Sequence, residues 1–522
     1  MRLTSRSTLF ARAVPALFFL TAQCGSRTPT FSVEGPPECT RDEDCEGHDD
    51  KCFPARCVMA TCQDVGPVDC DDKDPCTRDI CEPKTGACSH PPATVDLDGD
   101  GHKAPLPGKM PGELASCGDD CDDRNAAAFP SGREVCDGAD NDCNGVVDDG
   151  AELTPTNAMV IVSEGARVAE PLALTFAAGG YWSAYSGERD AHNALLIAPL
   201  DRNGNRAAVP STVSATAADS TGGTLTWIGD RFGATWSDRR EARGGTLNWE
   251  VYFSVLNPDR TKRIPDVRIS QAEGFSLNAS VAWTGLEFVV VWQEDGMNSF
   301  SIDELYAQRI DRDGALVGGN VKLVSEGPQL QTAPVIAAGR RSLGLAWVKG
   351  DVIEDSHRVL FAPFDFELRR AAPPAVVSGS MSGAVYPVMI YNAPNYFIAW
   401  TEDPPGPAVF GAVRDETGKE VVAAKAITTG NGHARSPALL PYGDRVLLVW
   451  ADDRDGNLGY ELYTKVLDQK LQPLGPEQRV TNTRGDSVDP FIAFGPGGDV
   501  GVLFSDNSAG VPQAFFTRFA CR

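Results

Sequence analysis

Histidine is scarce in this chain, six in 522 residues, and basic charge is outnumbered: 47 Lys and Arg stand against 72 Asp and Glu, a net charge of −25. A basic patch is the electrostatic footprint of nucleic-acid binding, so this balance excludes that partner class. It fits an exported protein, or one that collects cations. No C-x2-C pair occurs, which leaves zinc knuckles and thioredoxin-like chemistry without support. No G-x-S-x-G, H-E-x-x-H or P-loop is present, and His192, His357 and His433 share no motif. Long apolar runs are also missing. "AVPALFFL" (13–20) is too short and badly flanked for a spanning helix, and nothing else along the chain could span a membrane.

What is there begins with an export signal. Arg2, Arg6 and Arg12 precede that short apolar run, then small and polar residues lead to Cys24. The stretch "LTAQC" resembles a bacterial lipobox, although Gln23 stands where that family has a small residue. The resemblance implies removal of residues 1–23, a lipid on Cys24 and a membrane partner reached through that lipid. Residues 24–38, rich in Pro, Ser, Thr and Gly, read as a tether.

Cysteine usage agrees with export, because a disulfide framework is the default for cysteines in an oxidising compartment. Nine of the 15 fall in residues 39–92: Cys39, Cys45, Cys52, Cys57, Cys62, Cys70, Cys76, Cys81 and Cys88. Cys117, Cys121, Cys136 and Cys143 follow, and Cys521 stands next to the end. With Cys24 lipidated, the remaining cysteines form an even set, all expected in disulfides. Residues 39–92 are poor in large apolar side chains, so crosslinks must supply the stability that a core would. A stapled spacer is the expected role.

Residues 93–150 are acidic, with fourteen Asp or Glu against four Lys or Arg over 96–150. Two stretches carry cation-ligand spacing. In "DLDGDGH", Asp96, Asp98 and Asp100 occupy positions 1, 3 and 5 of a calcium-type loop, Gly101 position 6 and the His102 carbonyl position 7. In "DNDCNGVVD", Asp140, Asp142 and Asn144 take 1, 3 and 5, Gly145 takes 6, the Val146 carbonyl 7 and Asp148 9. Alternate residues of a tight loop turn inward and deliver the six to eight oxygens that calcium requires. Position 12, where an EF-hand has a bidentate Glu, holds Pro107 and Ala151, so further oxygens must come from elsewhere. Asp119, Asp120, Asp122 and Asp123 of "DDCDD" are the expected donors, with Glu134 and Asp137 in reserve. The pattern "DLDGDGH…DDCDD…CDGADNDCNG" resembles the MopE-type metal-binding motif, a family associated with copper by name. Copper prefers imidazole, thiolate or thioether, and this segment has one histidine, His102, and one methionine, Met110. Oxygen donors point to calcium ahead of copper.

Residues 151–522 repeat. An aromatic ends an apolar strand at Trp182, Trp236, Trp292, Trp347, Trp400, Trp450 and Phe504, with spacings of 54, 56, 55, 53, 50 and 54. A period near fifty built from short strands predicts a β-propeller. The repeat opens on a spare outer strand, "AMVIVSEG" (158–165), and closes on a third strand, "QAFFTRFACR" (513–522). Pairing the two predicts an all-β, seven-bladed ring closed by the N-terminal strand, with no free edge. The aromatics are expected to fill wedges between blades. Cys521 then lies near the acidic module, and a disulfide between them is expected. The region resembles sialidase-like propeller repeats, although the Asp-box S-x-D-x-G-x-x-W is not present in clear form.

Acids follow the anchors at Asp238, Glu294, Asp295, Glu402, Asp403, Asp452, Asp453 and Asp506. They are expected as solvated turn residues, the alternative being an acidic ring around the channel mouth. No catalytic residue stands out. The expectation is an exported, lipid-anchored surface protein, not an enzyme, with a calcium-stabilised stalk and a propeller that binds a glycan or protein. A propeller hydrolase or lyase, and a copper-scavenging surface protein, remain as alternatives.

Overall fold

The computed structural model describes residues 39–45, 51–135, 139–148, 153–156, 159–163, 169–189, 192–214, 218–241, 248–271, 274–295, 303–324, 330–351, 356–379, 383–402, 408–456 and 459–521. The signal, Cys24 and the tether lie outside them, as do Cys136, Asp137, Ala151 and Asp403. No helix among the described residues is long and apolar enough to cross a membrane. The chain divides into two compact units, one ending at Val95 and one beginning at Asp96.

The first unit is built on crosslinks. Its regular structure is a short 3-10 turn, Asp42–Cys45, a hairpin of Ala55–Val58 with Thr61–Asp64, and the two-residue pair Ile80–Cys81 with Cys88–Ser89. Disulfides join Cys39 to Cys57, Cys45 to Cys62, Cys52 to Cys81 and Cys70 to Cys88. Cys76 is disulfide-bonded as well. Among the described residues of this unit, the buried apolar side chains are Cys39, Cys45 and Cys52, while Phe53 and Met59 are exposed. The cystines are the core. Each closes a loop of 17 to 29 residues, worth about 3 kcal/mol of unfolded-state entropy.

The second unit begins with the acidic segment, which has no helix or strand among its described residues. Seven blades follow. The inner strands are Ala169–Ala177, Ser220–Trp227, Ser276–Trp283, Leu330–Ala338, Val385–Asn392, Arg435–Tyr442 and Ser487–Phe494. Blades 1 to 6 are four-stranded antiparallel sheets, each strand pairing with the next in the chain. Blade 7 has three consecutive strands, and its outer edge is supplied from the N-terminal side of the repeat. Leu153–Pro155 and Val160–Ile161 both pair with Gln513–Cys521. The ring therefore closes as its sequence ends imply, with an extra short strand, Leu153–Pro155, that the pattern did not reveal.

The anchors are wedges. Trp236, Trp292, Trp347, Trp400, Trp450 and Phe504 have no exposed surface, and Trp182 is buried too. Between third and fourth strands an Asp caps the turn by accepting backbone N–H groups two and four residues on. Asp201, Asp311, Asp365, Asp415 and Asp468 all do this, which explains the acidic turn signals of the repeat.

Candidate metal centre and central cavity

The first acidic loop folds around its own carboxylates. Asp96 accepts N–H groups from Gly99 at 2.6 Å and Gly101 at 3.0 Å. Asp98 Oδ1 accepts from Asp100 N, and Asp100 Oδ1 from His102 N. Both glycines have positive φ, which lets the chain reverse twice within the loop. The "DDCDD" segment reaches this loop because Gly118 has no side chain. A Cβ there would sit 2.1 Å from the Lys103 carbonyl oxygen. Asp120 N then donates to Lys103 O, and Leu97 N donates to Asp123 Oδ1.

The result is two overlapping sets of oxygens within 4.8 Å: Asp96, Asp98 and Asp123, and Asp98, Asp100 and Asp120. Asp120 is 1% exposed. Asp98 Oδ2, Asp100 Oδ2 and Asp120 Oδ2 are all buried with no hydrogen-bond partner. Burial, with the charges of Asp100, Asp98 and Asp123, pushes the Asp120 carboxyl above the usual range, against a backbone hydrogen bond that lowers it. Buried carboxylates left facing one another are costly unless a cation joins them. The donor set is hard. The Nδ1 of His102 is engaged by Asp119 at 3.0 Å, its ring stacks on Phe129, Cys121 is bonded to Cys143, and Met110 is 71% exposed. These residues fit an oxygen-seeking cation and offer copper no set of soft ligands. Asp122 is exposed and in neither set.

The second loop is satisfied differently. Asp140 accepts N–H groups from Asn144 and Gly145, Asp142 accepts from Asn144, and Asn144 Oδ1 accepts from Val146 N. Glu134 Oε1 accepts from Asp142 N, while its Oε2 is buried without a partner. Asp148 turns to the propeller: its Oδ2 lies 3.0 Å from Arg445 Nη1 in blade 6. Sequence spacing gave Asp148 only a loop role, because the partner lies 297 residues away. Cys117 is disulfide-bonded. Cys143 is spent on Cys121, so it does not serve Cys521, whose backbone pairs with Leu153.

Among the described residues, the acids after the anchors do not line the channel; Glu294, Asp295 and Asp453 are half-buried. Asp238, Glu402, Asp452 and Asp506 are buried. Four of the acids hold the wedge indole of their own strand. Trp236 Nε1 donates to Asp238, Trp292 Nε1 to Glu294, Trp400 Nε1 to Glu402 and Trp450 Nε1 to Asp452, at 3.1, 3.1, 2.7 and 3.2 Å. Asp506 accepts from Ser487 instead, since its anchor is phenylalanine. An indole N–H inside a blade needs an acceptor, and the acid two residues on points to the same face.

The inner strands of all seven blades line a central cavity of about 630 Å³. None of those acids lines it. What does was missed in the sequence. Each inner strand carries a register shift at the same level. In six blades this bulge holds a residue with left-handed φ: Gly222, Asn278, Ala333, Tyr386, Ser436 and Asp489. In the last four blades a proline follows, and "TAP", "VYP", "RSP" and "VDP" at matching repeat positions were the available signal.

The "Cu-binding MopE" family, described as a "Putative metal-binding motif", matches residues 120–149. The match takes in Asp120 and Asp123 and the whole second loop, while Asp96, Asp98 and Asp100 lie before it. No curated protein matches the chain. Among solved structures, a protein of unknown function from Dyadobacter fermentans is similar at 13% identity, covering 72% of this chain and all of that one, with a TM-score of 0.45. A puromycin-hydrolyzing peptidase from Mycobacterium tuberculosis is similar at 14% identity, covering 70% of this chain and 56% of the peptidase, TM-score 0.41. Trypanosoma rangeli sialidase bound to the inhibitor DANA is similar at 12%, covering 71% and 59%, TM-score 0.39. The expectation that the chain is not an enzyme is corrected here: a peptidase and a sialidase are among the similar proteins, so that expectation has no support. At these identities they speak to fold alone.

Proposed function

We propose that this chain is an exported surface protein in which a calcium-held acidic segment carries a ligand-binding propeller. The disulfides favour an oxidising compartment. In this reading Cys24 carries the lipid that anchors the chain to an outer membrane or cell surface, and the propeller receives a glycan or protein.

The observation that carries the reading is the trio of buried, unpartnered oxygens on Asp98, Asp100 and Asp120. Asp96, Asp98, Asp100, Asp120 and Asp123 would hold the cation. Its positive charge would offset their mutual repulsion and fix a segment that has no helix or strand of its own. Hard oxygen donors favour calcium, with magnesium and manganese behind it.

The test is the metal content of chelator-free protein from its native envelope, read by elemental mass spectrometry. One or two calcium ions per chain are expected, with affinity falling about tenfold or more in Asp98→Asn and Asp120→Asn. Copper held against excess calcium, or metal content unchanged in both variants, overturns the calcium reading. Mass spectrometry of the N-terminal peptide tests the lipid on Cys24.

A further inference from the structure

The ring of bulges around the central cavity is a place where the chain accepts backbone strain. Asn278, Ala333, Tyr386, Ser436 and Asp489 all have φ between 49° and 55°. For residues other than glycine such conformations are strained, and they cluster where a structure re-aims side chains for function. Here one backbone geometry recurs from blade to blade while the side chain changes: amide, methyl, phenol, hydroxymethyl, carboxylate.

Among the described residues, those lining the cavity include no Lys, Arg or His and a single carboxylate, Asp489. Asp489 is exposed, lines the cavity and accepts a 2.7 Å hydrogen bond from Ser436 Oγ. It has no ion-pair partner among the described residues. Tyr386, in the same ring, is 67% exposed. The lining is largely apolar, with Leu172 at the blade 1 bulge and Leu174, Val335, Val388 and Ile390 beyond the bulges. The volume suits a small organic ligand.

We propose that this cavity binds an organic ammonium group on an apolar stem. Asp489 pairs with the cationic head, the Tyr386 ring offers it a π face, and the aliphatic wall takes the stem. An anionic head would meet the Asp489 carboxylate as a repulsion. The inference deepens the reading of the propeller as a ligand-binding domain and rests on it; the calcium reading is independent of it.

The test is titration calorimetry of the full chain with n-hexylammonium, 1-hexanol and hexanoate as probes. Hexylammonium is expected to bind about tenfold tighter than hexanol, with hexanoate weakest. Asp489→Asn should erase the preference for the ammonium while leaving hexanol binding unchanged, and Tyr386→Ala should weaken the ammonium selectively. Should Asp489→Asn not fold, the same preference in the wild-type chain must fall as salt rises. Equal binding of ammonium and alcohol, tighter binding of hexanoate, or a preference that survives Asp489→Asn overturns the inference but leaves a ligand-binding cavity. Binding of none of the three overturns the inference and counts against the ligand-binding reading itself.

Discussion

The acidic segment and the propeller adjoin in one unit, yet opposite physics holds them. In the propeller the buried residues are Trp236, Trp292, Trp347, Trp400 and Trp450 with their aliphatic neighbours. In the acidic segment they are Ser116, Asp120, Asn141 and Ala128. One region gains by removing apolar surface from water. The other removes carboxylates from water, which is unfavourable until something positive arrives. A propeller of this kind needs no ligand to fold, whereas the acidic segment is incomplete by its own chemistry.

The sharpest way to break the comparison is to remove a wedge. Trp450→Ala should cost the propeller about 3–5 kcal/mol, as large-to-small changes at packed aromatics do. It also removes the donor to Asp452. Denaturant unfolding should show the loss, with calcium affinity of the acidic segment unchanged in the folded protein.

Next comes a variant whose effect should change sign with calcium. Asp120→Asn keeps an oxygen for the Asp122 N–H, now 2.7 Å from Oδ1, and replaces a buried negative charge with a donor beside Asp98 and Asp100. Without calcium the acidic segment should gain about 1 kcal/mol, read as slower amide exchange over residues 96–123. With calcium it should be looser than wild type, because a ligand is gone. An effect of the same sign in both conditions would mean the carboxylates are a solvated cluster and not a cation site.

Arg445→Ala probes the seam between the regions. It removes an ion-pair partner of Asp148, whose side chain is 8% exposed, while Arg445 itself is 24% exposed. That partial exposure reduces the full cost of breaking a buried pair to about 1–2 kcal/mol. The loss should appear as faster exchange in the second acidic loop, with little change in propeller melting. A change confined to blade 6 would mean the pair only orders the arginine.

Much of this contrast was readable in the sequence, and for a physical reason. A tryptophan at the end of an apolar strand, repeated every fifty-odd residues, has one economical use, so blade number and ring closure followed from spacing. Asp96, Asp98 and Asp100 were picked out by alternation in a Gly-rich loop, and the structure brings Asp120 and Asp123 of "DDCDD" beside them. Three features were hidden because they depend on what meets in space. Asp238, Glu402 and Asp452 look like turn acids until an indole N–H is placed against them. Asp148 reads as a ninth loop position until Arg445 arrives from blade 6. The bulge ring depends on the sign of φ, which composition does not carry; only the recurring X-Pro at matching positions hinted at it.

The smallest effect sharpens the comparison from the propeller's side, where Glu294, Glu402 and Asp452 each accept a hydrogen bond from the indole of their own strand. Glu294 accepts from Trp292 Nε1. Its carboxyl is raised above the usual range by burial, with Glu250 and Glu304 adding to the rise and the Trp292 hydrogen bond and Lys322 opposing it. A carboxyl whose folded pKa stands above its unfolded value favours the fold at low pH and gives up that contribution as pH rises through the folded value. Wild-type blade 3 should therefore lose some stability as pH climbs past the ordinary glutamate value of 4.5. Glu294→Gln keeps an acceptor for the indole and removes the titrating group. It should flatten this part of the stability–pH curve and leave neutral-pH stability equal to or slightly above wild type, measured by denaturant unfolding across pH 4 to 7. A steeper curve, or a large loss at neutral pH, would show that the tryptophan needs the charge and not merely an oxygen. The propeller's acids would then resemble those of the acidic segment, differing only in being matched by the protein's own donors instead of a metal.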